Sequence, residues 1–186
     1  MKRWAWCASV GALLLAGCSS SEGRLTTKSD VAQVLGEMTY TAYQALIVGA
    51  IARSSESQIS VDCPQGGSTR VARAPDAQGR SSFTFLLCNN GRNRFDGSIF
   101  ARLTSDANGT SVTYTGQLTS VGKSNGTLRF EDFLQKIMFS PGDDGHLFTM
   151  TLTGKMLTID SRGQRTWNFD SQSYGYDRVH SLTSPL

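Results

Sequence analysis

Histidine is scarce: the chain of 186 residues has two, His146 and His180. Neither stands beside a candidate nucleophile, so acyl-transfer chemistry finds no support. Gly-x-Ser-x-Gly, His-Glu-x-x-His, Cys-x-x-Cys and a phosphate-binding glycine loop are also missing. Asp143-Asp144, within Pro141-Gly142-Asp143-Asp144-Gly145, lacks the alternating oxygen ligands and distal glutamate of an EF-hand and reads as a turn. No catalytic residue, cofactor or metal is therefore expected. Charge of one sign is missing too: 18 Lys and Arg face 15 Asp and Glu, with no long basic run. Such a balance gives no electrostatic case for nucleic acid. Long hydrophobic runs are lacking as well, since Ala45 to Ala52 falls far short of the roughly 20 residues needed to span a bilayer.

What is present begins at the N-terminus. Met1-Lys2-Arg3 is a basic start, Val10 to Leu15 an apolar middle, and Ala16-Gly17 a pair of small residues, the layout of a secretory signal. It ends in cysteine: Leu15-Ala16-Gly17-Cys18 resembles the lipobox of bacterial lipoproteins. That resemblance implies cleavage before Cys18, acylation of its sulfur and new amine, and a lipid-anchored protein of the bacterial envelope. Removing Lys2 and Arg3 leaves 16 basic against 15 acidic residues. Ser19 follows the lipid cysteine where aspartate would favour inner-membrane retention, so the resemblance implies the outer membrane, facing the periplasm. Residues 18–27, rich in serine, read as a flexible tether.

Of four cysteines, Cys7 leaves with the signal and Cys18 is the lipid site. Cys63 and Cys88 remain, and a pair left in an exported chain reads as a disulfide, the alternative being two separate thiols.

Residues 28–53 read as one helix. Thr27 and Asp30 have capping-box spacing. Val31, Val34, Leu35, Met38, Ala42, Ala45 and Leu46 then follow helical spacing, and Ala42 to Ala52 is apolar nearly all round. From Gln58 the period changes to two, in long segments rich in Thr, Phe, Tyr, Val and Ile. Asn90-Gly91, Asn108-Gly109, Asn125-Gly126, residues 141–145 and Ser161-Arg162-Gly163 read as turns between them. Phe95-Asp96-Gly97-Ser98-Ile99, Tyr114-Thr115-Gly116-Gln117-Leu118 and Leu152-Thr153-Gly154-Lys155-Met156 share one pattern, and Gln135 takes the glycine's place in the missing member. These glycines fall on the core face, where they mark bends or a close backbone approach, with the small-residue half of the helix lying across them. Phase changes near Asp132-Phe133 and Met156-Leu157 read as bulges.

The expected fold is α+β: one long N-terminal helix on a large curved antiparallel meander spanning about 58–170, then a tail at 171–186. Cys63-Pro64-Gln65-Gly66-Gly67, a strand, Cys88 and Phe95-Asp96-Gly97 are similar to a pattern common in uncharacterised exported bacterial proteins. That resemblance covers about residues 60–160 and implies no activity. In outline the architecture resembles the lipoprotein carriers of the Lol system, a likeness that does not fix function.

Two functions follow. The first is a non-catalytic lipoprotein binding a protein or envelope partner, as an assembly or secretion accessory. The second is a carrier or sensor of an apolar ligand held between helix and sheet. They differ in one observable: the second needs an unfilled apolar cavity on the concave face. The first needs Phe83, Phe85, Phe95, Tyr114, Phe130 and Trp167 to close against Leu35, Met38 and Leu46.

Overall fold

A computed structural model describes residues 23–51, 57–107, 109–139, 147–177 and 183–185. The lipobox with Cys18 and the expected turn at 141–145 lie outside the described residues. The helix α1 runs Lys28–Ile51. Its start is a reciprocal cap. Asp30 N–H donates to Thr27 Oγ1 (3.1 Å), while Asp30 Oδ2 accepts from the Thr27 (2.7 Å) and Thr26 (2.8 Å) amides. Burial alone would raise the Asp30 pKa; the hydrogen bonds from Thr26 and Thr27 outweigh it and hold the carboxyl below its ordinary value.

Ahead of the helix, β1 (Gly23–Arg24) pairs in parallel with the start of β7, Gly23 opposite Ser124 and Arg24 opposite Asn125. Leu25 is buried, and Arg165 donates to the carbonyls of Leu25 (3.4 Å) and Thr26 (3.1 Å). The chain therefore enters the domain at a fixed point.

The sheet is an antiparallel meander. Its early strands are β2 (Gln58–Asp62), β3 (Ser68–Ala72) and β4 (Ser81–Asn89). The long ones are β5 (Asn93–Asp106), β6 (Gly109–Gly122), β7 (Ser124–Phe139), β8 (Phe148–Asp160) and β9 (Gly163–Tyr176). A short β10 (Thr183–Pro185) pairs with β9. Each of β2 to β10 hydrogen-bonds its sequence neighbours, so spatial order follows chain order. This is an α+β chain dominated by antiparallel sheet. The Cys63–Cys88 disulfide forms, tying the β2–β3 hairpin to β4.

Asn90-Gly91 and Ser161-Arg162 lie between strands as expected. Asn125-Gly126 does not, because β1 pairs with Asn125 and draws it into β7; the turn falls at Gly122-Lys123 instead. The segment read as a tail from 171 continues β9, and its buried Tyr174 and Tyr176 are the reason it stays in the sheet.

Three bulges interrupt the ladders. Leu87, Asp132 and Ser171 have φ of 49°, 52° and 51°, on β4, β7 and β9. Asp132 matches the expected phase change. Met156-Leu157 does not: β8 pairs regularly there on both sides, and the β9 irregularity lies opposite Leu152 to Gly154. Each bulged strand pairs with a strand carrying one of the patterned glycines, Phe85 with Gly97, Phe130 with Gly116 and Phe169 with Gly154. A bulge adds local twist and bends its strand.

Those glycines do not serve the helix. A Cβ on Gly97 would meet the Gln117 carbonyl oxygen at 2.8 Å, and one on Gly116 the Ser98 carbonyl oxygen at 2.7 Å. Both are backbone contacts between β5 and β6. The helix's own close approach is at Gly36, where an added Cβ would run into the ring of Tyr176. The helix touches β2 and β3 at one end of the strand order and β9 and β10 at the other.

Candidate functional site

The two arrangements expected of the interior both occur, in different places. Phe83, Phe85, Phe95, Tyr114, Phe130 and Trp167 are buried, as are Leu35 and Met38. Leu46, about two turns further along the helix, is only partly buried and faces a cavity of about 290 Å³. A volume near 300 Å³ is at the small end of ligand pockets.

The cavity lies between the second half of α1 and β4 to β7. Thr39, Ala42, Tyr43, Leu46 and Ile47 form its helical wall. Phe83, Ile99, Ala101, Leu103, Val112, Tyr114, Ile137 and Phe139 form the sheet wall, with Ser105 and Thr110 at the β5–β6 end. Among the described residues no Asp, Glu, Lys or Arg lines it. Two surface clefts of about 360 and 280 Å³, beside Lys28 and Gln172 and beside Arg129 and Lys155, have more polar than apolar lining, so they do not share this character.

A chain of ring contacts bridges the helix and the sheet beside the cavity. Tyr40 contacts Tyr176, Tyr176 stacks on Phe148, Phe148 meets Phe139, and Phe139 returns to Tyr43, with centroids 6.4, 4.9, 5.9 and 4.6 Å apart. Gly36 admits Tyr176 against the helix backbone. On the other flank, Asn90 Nδ2 donates to Glu37 Oε2 (2.8 Å).

A polar chain forms part of the site. Thr39 donates to Gln135 Oε1 (3.0 Å), and Gln135 Nε2 reaches Met150 Sδ (3.3 Å). Thr39 is also hydrogen-bonded to Tyr114, whose pKa burial pushes up to about 12. Gln135, which stands where the strand pattern would place glycine, is fully buried. It gives the helix a specific partner in an otherwise apolar wall. Because the folded pKa of Tyr114 lies above the ordinary value of 10.0, its neutral form stabilises the fold below about pH 10 and that contribution is lost as pH rises through 12. The expected loss is about 2–3 kcal/mol. Urea titrations at roughly pH 9 and roughly pH 11.5 should show the wild type weakening more than Tyr114→Phe. Equal slopes for both would remove Tyr114 as the cause.

The structure brings Cys63 and Cys88 together but away from this cavity, and His146 lies outside the described residues. Sequence reasoning placed apolar ligand space between helix and sheet without naming Leu103, Ile137 or Phe139. For Ile137 and Phe139 the signal was apolar side chains persisting to the very end of β7; Leu103 continues the alternation of Ile99 and Ala101 in β5. Among the described residues no group of three or more His, Cys, Asp or Glu could hold a metal ion, and no helix is long and apolar enough to cross a membrane. No family model matches this chain, and neither a curated protein nor a solved structure matches it.

Proposed function

We propose that this chain is a lipid-anchored envelope protein, without catalytic activity, that holds an apolar hydrocarbon ligand between its helix and a sheet curved around it. The observation that carries the reading is the open cavity of about 290 Å³ with aliphatic and aromatic walls and a few hydroxyls. Helix contacts with strands at both ends of the sheet order support the curvature. The lipobox Leu15-Ala16-Gly17-Cys18 supports the anchor and the outer-membrane, periplasm-facing location. Of the two functions compatible with the sequence, the cavity supports ligand binding over binding of a protein or envelope partner.

Titration calorimetry with 1-alkanols of increasing length tests it. Each buried methylene contributes about 0.8 kcal/mol, roughly a fourfold gain in affinity, until the cavity is full. Ala101→Phe, which fills the sheet wall, should weaken 1-decanol binding at least about fiftyfold while leaving the fold intact. Binding that ignores chain length, or survives Ala101→Phe, would sink the proposal. The anchor is tested separately: Cys18→Ala should yield an unprocessed or soluble protein, and an unchanged mature mass and membrane extraction would defeat that assignment.

A further inference from the structure

The cavity has a buried end and an exposed end. Along β5 exposure rises from 0% at Ile99 to 41% at Leu103, along β7 from 5% at Ile137 to 46% at Phe139. Along α1 it rises from 4% at Thr39 to 42% at Ile47. Large apolar residues, Ile47, Leu103 and Phe139, therefore rim the mouth. The buried end carries two hydroxyls, those of Thr39 and Tyr114. At the mouth the hydroxyls of Ser105 and Thr110 meet each other in an exposed hydrogen bond (3.1 Å).

The protons of the buried pair are already committed. Thr39 has one hydroxyl hydrogen and donates it to Gln135 Oε1 (3.0 Å). That amide orientation is set by its other arm, because Nε2 donates to the sulfur of Met150 (3.3 Å), a weak acceptor that an amide oxygen could not use. Thr39 can then only accept from Tyr114, so the phenol hydrogen is committed as well. What the pair can offer a ligand is oxygen lone pairs. A ligand hydroxyl donates to them without breaking an existing bond. An ether, carbonyl or carboxylate brings only lone pairs of its own, and a charged head finds no opposite charge lining the cavity among the described residues.

We propose that the ligand of this cavity is a neutral hydrocarbon alcohol bound head first, its hydroxyl donating to the Thr39–Tyr114 pair at the buried end and its chain running out to the apolar mouth. This rests on the reading of the cavity as a ligand site. The reverse orientation would set the hydroxyl beside Ile47, Leu103 and Phe139 and leave the buried acceptors unused. A hydrogen bond at the buried end counts for more, because water does not compete for it there.

The test compares 1-decanol with its isomer 1-methoxynonane, which differ in whether the oxygen carries a hydrogen. A cavity offering no hydrogen bond would favour the ether, since a hydroxyl buried without a partner gives up more on leaving water. By titration calorimetry the wild type should bind 1-decanol at least about tenfold more tightly than the ether. At about pH 8 it should also bind 1-decanol at least about tenfold more tightly than decanoate, which is ionised there. Thr39→Val, Tyr114→Phe and Gln135→Leu together remove the polar chain without orphaning a member. This triple variant should keep its affinity for the ether and lose the preference for the alcohol. Ser105→Ala with Thr110→Val should keep the preference. No preference in the wild type over either competitor, a preference that survives in the triple variant, or one lost with Ser105 and Thr110 would each overturn the proposal. Should the triple variant not fold, the wild type and the mouth variant decide. Failure of the wild type to bind either isomer would instead remove the cavity reading itself, a distinguishable result that overturns this one with it.

Discussion

Gly116→Ala should cost at least about 3 kcal/mol, whereas Gly163→Ala should cost about 1 kcal/mol. The pair isolates one physical cause. Their φ angles are 112° and 111°, so the backbone penalty for a side chain is the same at both. They differ in what a Cβ would meet. At Gly163 there is nothing within 4 Å; at Gly116 the Ser98 carbonyl oxygen is 2.7 Å away and Ile99 Cα 3.2 Å away. Those atoms belong to the β5 backbone, so relief requires β5 and β6 to part in the middle of the sheet. A loss of about 3 kcal/mol lowers the ratio of folded to unfolded chain more than a hundredfold, a large share of a typical domain's stability. Urea titration of both variants measures it. Equal costs at the two positions would mean that φ alone explains the glycine at Gly116 and that the strands do not depend on its missing Cβ.

Loss of the Cys63–Cys88 disulfide is expected to be comparably severe. The cysteines are 25 residues apart, and closing a loop of that length restricts the unfolded chain by roughly 3 kcal/mol. The bridge joins β2 and β3, the short strands at one end of the sheet order, to β4. Short strands bury little of their own, so reduction should loosen this end first. Cys63→Ala with Cys88→Ala, and the wild type in dithiothreitol, should unfold at temperatures lower by about 6–12 °C than the oxidised wild type. An unshifted midpoint on reduction would show that packing alone holds β2 and β3.

Local chemistry made much of this fold legible. The cap at Thr27 and Asp30 involves residues three apart, and the turn at Asn90-Gly91 is set by its own backbone preferences. Alternation revealed the long strands, and the phase break at Asp132-Phe133 revealed its bulge because both flanks carry large apolar residues. The bulge at Ser171 had no such marker: Asp170, Ser171 and Gln172 are all polar, so a shift of phase among them leaves no trace in the pattern. Asn125-Gly126 has the composition of a turn, but its fate was decided by β1, a hundred residues upstream (Arg24 opposite Asn125).

The candidate site was less legible for the same reason. Whether an apolar stripe fills or stops short of its partner depends on where the helix comes to rest. That position is set by Gly36 against Tyr176 and by Thr39 against Gln135, contacts across more than ninety residues. No window of sequence contains both members of either pair. Gln135 was visible only as a departure from the glycine pattern; its hydrogen bond to the helix explains the departure.

The entry of the chain at β1 carries a mechanical consequence. Any pull on residues before Gly23 reaches the domain at Gly23-Arg24, which lie parallel to Ser124-Asn125 in the interior strand β7, with Arg165 clasping the next two carbonyls. A load along that direction acts on several bonds at once instead of opening them one by one. Tension at the N-terminus is thus borne first by strands, before it reaches the helix that bounds the cavity.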